Sequence, residues 1–241
     1  MQKLSKSRLT VLAFIALLPL FLKRSCYRWF FGYHIGKRVR IGVSIIDVGE
    51  CNIADDVQIG HLNLIVRVKK LQLDDHVRIG HLNIIRGGDE VHLGRYAEII
   101  RMNEINSIAE PEVVNQIDPR FLLGDGSIIT AGHKIDFTDR VIIGRRSILG
   151  GRNSSLWTHN RQRTRPIDIG SFAYIGSEIR IAPGGSLPSK CIVGIGSVIT
   201  SQLADEGYLI AGVPAKPVKE LGEEDRFLIE RKTRADLPDD V

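Results

Sequence analysis

Seven histidines occur in this chain of 241 residues. Imidazole suits proton transfer near neutral pH because its unperturbed pKa is about 6.5. Two arrangements stand out. His159 lies in WTHNRQRTRP, a polar stretch between aliphatic segments, where a neutral imidazole can act as a general base. His133, in TAGHKIDF, precedes it by 26 residues, about one coil, and is placed to approach and orient His159. Its phase, four residues after Ile129, points inward and fits a structural role equally well. Asp136 is a further candidate for hydroxyl recognition or for a contact to histidine. The second arrangement is His76 and His81, five residues apart, with His61 upstream. Three imidazoles leaving a fourth position open suit a zinc ion that activates water.

What must position these side chains is a repeat. IGHLN at 59–63 recurs at 79–83, and IIRMN follows at 99–103. Ile53, Ile59 and Ile65 stand six apart, as do Ile169, Ile175, Ile181, Leu187, Val193 and Ile199. Sixfold spacing fits neither an amphipathic helix nor strand alternation. It fits a parallel β-helix, in which every sixth residue turns an aliphatic side chain into a shared core. Three hexads make a coil of 18 residues, so longer steps measure loops. Ile41 to Ile59 is 18, Ile59 to Ile79 is 20, Ile99 to Leu123 is 24, and Ile143 to Ile169 is 26. WTHNRQRTRP is therefore expected to be the largest excursion, and loops at 106–122 and 157–168 are expected to shape an acceptor site. His61 and His81 fall on equivalent repeat positions, which duplication explains without metal. Asn63, Asn83 and Asn103 do the same, as an amide ladder would. The fold class expected is all-β: a parallel β-helix with an apolar N-terminal helix and a C-terminal loop plus helix.

Charge is unevenly distributed. The net charge is +5, yet residues 1–46 hold nine Lys or Arg and no acid, which leaves the remainder at −4. A basic face on the folded domain, as a nucleic-acid binder needs, is therefore not expected. The basic residues flank LTVLAFIALLPLFL at 9–22, too short to span a bilayer, which takes roughly 20 apolar residues. No small-residue cleavage site follows. An interfacial or re-entrant anchor is expected, with Pro19 breaking it and Trp29, Phe30, Phe31 and Tyr33 at headgroup level; a helix packed on protein is the alternative. The domain reading is 1–34 anchor and cap, 35–203 solenoid, and 204–241 loop plus capping helix. Localisation is expected at the cytoplasmic face of a membrane. The three cysteines are too few and too scattered for a disulfide framework, and Cys51 and Cys191 sit at inward positions as core thiols.

The hexads, the ending VGIGSVIT…AGVPAKPV and the Thr-His pair in SSLWTHN resemble the left-handed β-helix acyltransferases, which include galactoside and maltose O-acetyltransferases. The basic apolar start and GHKIDF are closer to acetyltransferase-like proteins of polysaccharide biosynthesis. The resemblance covers 35–220. It implies left-handed coiling, homotrimers with sites between subunits, acetyl-CoA as donor and a sugar or glycan acceptor. It also implies that His159 is the catalytic base, that Ser177, Ile195 and Thr200 contact CoA, and that Lys216 and Lys219 meet its phosphate. Gly212 and Pro214 would shape the turn beside them. No metal is expected. Two alternatives stay open: a metal hydratase like the γ-class carbonic anhydrases, using His61, His76 and His81, and a non-catalytic scaffold. Arg161, Arg163 and Arg165 are either solvated loop charge or a meeting point for an anionic acceptor.

Overall fold

A hexad that turns a corner every sixth residue distributes successive strands over three faces, and the chain does this. The computed structural model describes residues 6–108, 118–230 and 232–236. Strands go in turn to three parallel sheets of eight, ten and eight members. The first sheet begins at His34–Ile35, the second at Arg40–Ile41 and the third at Ile45–Asp47. Together they form a left-handed parallel β-helix of about eight turns.

Register explains the repeat. Ile41, Ile59, Ile79, Ile99, Ile129, Leu149, Ile175, Val193 and Ile210 are directly stacked partners in the second sheet. All nine are buried, so a single column of branched side chains runs the length of the core. Close stacking also dictates the glycines that follow. A Cβ on Gly60 would lie 2.3 Å from the Gly80 carbonyl oxygen, nearer than non-bonded atoms can approach.

One coil differs from the expected count. Leu93 pairs with Leu123 and Ile99 with Ile129, a step of 30 residues. The interval from Ile99 to Leu123 therefore joins two different sheets, and the segment after Ser107, not WTHNRQRTRP, is the largest excursion. Residues 109–117 of that segment lie outside the described residues.

Inside one edge of the prism, polar side chains relay the stack. The Asn63 Oδ1 accepts the backbone and side-chain N–H of Asn83, and Asn83 Oδ1 does the same for Asn103. Asn103 Oδ1 then accepts the His133 N–H, and His133 Nδ1 accepts the Ser154 N–H. Each bond is worth about 0.5–1.5 kcal/mol, but leaving a buried partner unmade costs about 1–3 kcal/mol.

Two helices, α1 (Lys6–Leu17) and α2 (Leu20–Phe31), lie over the first coil. An open strand edge exposes unpaired backbone groups that invite association. Here cations of α2 cover them: Lys23 Nζ donates to the carbonyls of Ile41 and Gly42, Arg24 to that of Gly36, and Arg28 to that of Ile35. Leu12, Ile15 and Tyr27 are buried, whereas Phe14, Leu17, Phe21, Trp29 and Phe30 are exposed. Among the described residues no helix is long and apolar enough to cross a membrane.

At the other end an antiparallel hairpin, Tyr208–Gly212 with Ala215–Glu220, completes the second sheet. Helix α3 (Glu223–Ile229) follows. The chain then runs back along the prism, where Arg234 donates to Glu98 and to the His76 carbonyl. The hairpin, and not the helix, closes the end of the second sheet.

Candidate active site

His159 leaves the prism at the edge between the third and first sheets, after the strand Ser155–Trp157. A short hairpin carries it. His159 pairs antiparallel with Thr164, the Arg165 N–H donates to the Thr158 carbonyl, and the Asn160 N–H donates to that of Arg163. Asn160 closes the turn by accepting the N–H groups of Gln162 and Arg163 on its side-chain oxygen, the usual work of asparagine in turns. The chain rejoins the first sheet at Ile167–Ile169.

One coil earlier, Asp136 ends the strand Lys134–Asp136 and pairs in register with Trp157. That register places its carboxylate against the base of the hairpin. Oδ2 accepts from His159 Nδ1 at 2.8 Å, from the Thr158 N–H at 3.0 Å and from the Thr158 hydroxyl. Oδ1 accepts from the Thr138 hydroxyl at 2.7 Å. Thr138 in turn accepts the Ile108 N–H, and Thr158 accepts that of Asp139. Asp136 is 7% exposed, and the His159 side chain 18%. A carboxylate accepting at Nδ1 sets the tautomer that leaves Nε2 as the acceptor nitrogen. The sequence singles out Asp136 weakly, Thr158 only as the partner of His159 in the Thr-His pair, and Thr138 not at all.

His133 is fully buried. Its Nδ1 accepts the Ser154 N–H and its Nε2 meets the Thr130 hydroxyl at 3.0 Å. Burial pushes its imidazole down to about 4. It occupies the place that asparagine takes in the preceding coils, and Asp136, not His133, touches His159.

The five residues expected to meet the donor fall into two groups. Ser177 and Ile195 occupy successive coils at the edge between the second and third sheets, where the Gly196 N–H donates to the Ser177 carbonyl. Ile195 is well exposed. Lys216 lies opposite Ala211 in the terminal hairpin of the second sheet, and Lys219 pairs with Asp225 at 3.0 Å. Thr200 sits on the other edge, below the His159 hairpin. There it lines a 410 Å³ cavity with Arg163, Arg165, Ser186 and Gln202.

The proposed zinc ligands do not converge. His61 and His81 stack at 5.5 Å on the edge between the second and third sheets, and their Nδ1 atoms accept the N–H groups of Val43 and His61. His76 turns the corner between the first and second sheets and stacks on Tyr96. Among the described residues no three His, Cys, Asp or Glu are grouped to hold a metal ion. Within one chain these histidines belong to different edges of the prism. Cys51 and Cys191 are buried, and burial pushes both thiols up to about 12, which disfavours the nucleophilic thiolate.

Comparison with known proteins gives a limited match in sequence and a broader one in fold. No family model matches the chain. Over 61 residues it is 33% identical to galactoside O-acetyltransferase of Escherichia coli (strain K12); the match spans 25% of this chain and only 30% of the relative's length. The structure of the polySia specific acetyltransferase NeuO aligns with a TM-score of 0.57 and 19% identity, over 78% of this chain and 86% of that one. That likeness is one of fold. A hexapeptide-repeat acetyltransferase of Vibrio cholerae O1 biovar eltor, solved with acetyl coenzyme A, aligns over 92% of this chain and 94% of its own. Its TM-score is 0.39 at 14% identity, too loose a likeness to extend to its ligand.

Proposed function

We propose that this chain is an O-acyltransferase moving an acetyl group from acetyl-CoA to a sugar hydroxyl of a polysaccharide or lipid-linked glycan precursor. The observation that carries this reading is the Asp136–His159 hydrogen bond on a hairpin standing off a regular prism. With Asp136 fixing Nδ1, Nε2 takes the proton of the acceptor hydroxyl as its oxygen attacks the thioester carbonyl. The tetrahedral adduct collapses, the carbon–sulfur bond breaks, and Nε2 returns the proton to the CoA sulfur. One oxygen–carbon bond replaces one sulfur–carbon bond, with no net proton change. The 61-residue likeness to an O-acetyltransferase and the fold shared with NeuO support the reading.

In this reading Ser177, Ile195, Thr200, Lys216 and Lys219 hold acetyl-CoA, and His133 maintains the coil beneath the site. Ser177 and Ile195 lie across the third sheet from His159. A homotrimer with its third sheets facing a common axis brings the hairpin edge of one subunit to the donor edge of the next. The exposed Phe14, Phe21, Trp29 and Phe30 beside the basic residues of α2 support attachment of residues 1–34 to the cytoplasmic face of a membrane. The test is transfer of radiolabelled acetyl from acetyl-CoA to membrane glycan extracts by wild type and His159→Ala. Labelling by wild type alone is expected; equal labelling by both removes His159 from the mechanism.

A further inference from the structure

A second basic feature lies far from His159. On the outer face of the second sheet, a groove of about 370 Å³ crosses the first three coils. Arg40, Gln58 and Arg78 form one wall, His61 and His81 the other, and Leu20 of α2 closes one end. The floor is backbone. Gly42, Gly60 and Gly80 follow the inward isoleucines, and a Cβ at any of them would fall within 2.4 Å of the next coil's carbonyl oxygen. Stacking therefore demands glycine at these three positions and keeps the groove open.

Its charged groups, Arg40 and Arg78, are donors only. The Arg40 side chain is exposed, and the Arg78 Nε is buried without a hydrogen-bond partner among the described residues. Such a group costs about 1–3 kcal/mol or more unless a ligand or water meets it. The carboxylate nearest in the column, Glu98, is bound to Arg234 at 2.9 Å. His61 and His81 each accept a backbone N–H at Nδ1, which leaves a donor at Nε2 when the ring is neutral. No carboxylate lines the groove. Two guanidiniums and two imidazole donors around a backbone floor match the oxygens of a phosphate group.

The end wall identifies the source of that phosphate. Leu20 is adjacent to the exposed Phe21, and α1 and α2 also expose Phe14, Leu17, Trp29 and Phe30. We propose that the groove is a headgroup site for an anionic phospholipid, whose phosphate meets Arg40 and Arg78 while the aromatic residues of α1 and α2 enter the bilayer interface. This rests on the membrane attachment of residues 1–34 and adds to it a defined site outside that segment.

The test is co-sedimentation of the full chain with vesicles of phosphatidylcholine alone or with phosphatidylglycerol added. Wild type is expected to prefer the phosphatidylglycerol vesicles by about tenfold or more, the scale of two cations at an anionic surface. Arg40→Gln with Arg78→Gln should lose that preference and keep the weaker binding to phosphatidylcholine. Arg40→Gln alone alters an exposed side chain, and a partial loss is expected with an unchanged melting temperature. Trp29→Ala with Phe30→Ala should weaken binding to both vesicles. Retention of the preference by the double arginine variant overturns the headgroup site while leaving membrane attachment standing. Failure of wild type to bind any vesicle overturns both. Displacement from phosphatidylglycerol vesicles by low-millimolar inorganic phosphate, at fixed ionic strength, overturns the lipid as occupant in favour of free phosphate.

Discussion

Asp136 and His159 are 23 residues apart in the chain, and a 2.8 Å hydrogen bond joins them. The bond exists because Asp136 and Trp157 are in-register partners on adjacent coils, so the hairpin emerges directly beside the carboxylate. Orientation of the imidazole is thus a property of the stack and not of the hairpin alone.

Removing either partner should separate chemistry from binding. His159→Ala is expected to lower kcat by about 10²–10⁴-fold, the usual contribution of a positioned base. Asp136→Asn keeps the size of the side chain but loses the acceptor that fixes the tautomer, and a loss of up to about 10⁴-fold is expected. Steady-state kinetics read both, with KM for acetyl-CoA staying within about threefold. A large rise in KM at constant kcat would assign the pair to binding instead.

His133 should matter for folding and not for turnover. His133→Asn restores the residue used by the preceding coils and is expected to retain activity, whereas His133→Ala leaves the buried Ser154 N–H unmet and costs about 1–3 kcal/mol. There is also a pH signature. The folded imidazole is held near 4, below the unfolded value of about 6.5, so the unfolded chain binds the proton more readily. Stability that His133 supports above pH 6.5 is lost as pH falls from about 6.5 towards 4. Urea unfolding at pH 7 and pH 5 should show a steeper acid loss in wild type than in His133→Asn; parallel losses would contradict the assignment.

Glycine substitutions should divide sharply by position. Gly80→Ala places a Cβ 1.9 Å from the Ile100 oxygen and should destabilise by about 1–3 kcal/mol or more. Gly196 has a φ of +73° and nothing within 4 Å of its Cβ position, so Gly196→Ala should cost only the left-handed conformation, about 1–2 kcal/mol. Thermal melts of the two variants rank them, and an equal cost would discount the stacking argument.

The edge-covering role of α2 predicts a stability effect at Lys23. Its ammonium is buried and donates to two carbonyls of the first coil. Lys23→Met fills similar volume without donating. A loss of about 1–3 kcal/mol is expected, at about 2–4 °C of melting temperature per kcal/mol in a chain of this size. An unchanged melting temperature would mean that the edge is satisfied by solvent.

The aliphatic columns were legible in the sequence because stacking leaves little freedom: a residue that repeats every six positions has one place to go. The asparagine ladder was legible for the same reason. His133 was harder, since its place in the asparagine column appears only once the register is known. The Asp136–His159 contact was half legible. The residue types invited it, but coils of 18, 20, 26 and 30 residues hide which positions are in register. That also explains the misjudged loop, where Ile99 and Leu123 occupy different sheets. The histidine triplet failed because linear proximity of His76 to His81 crosses from one edge of a triangle to another.

The third sheet gives the prism a metric. Between Ile45–Asp47, under the helical cap, and Ser155–Trp157, at the root of the hairpin, lie five strand-to-strand steps. At about 4.8 Å each, these amount to about 24 Å. Under the proposed membrane attachment, the solenoid would act as a ruler that sets the altitude of the His159 imidazole. Insertion or removal of one coil would raise or lower it in steps of about 4.8 Å and leave the local geometry intact, because each coil touches only its neighbours.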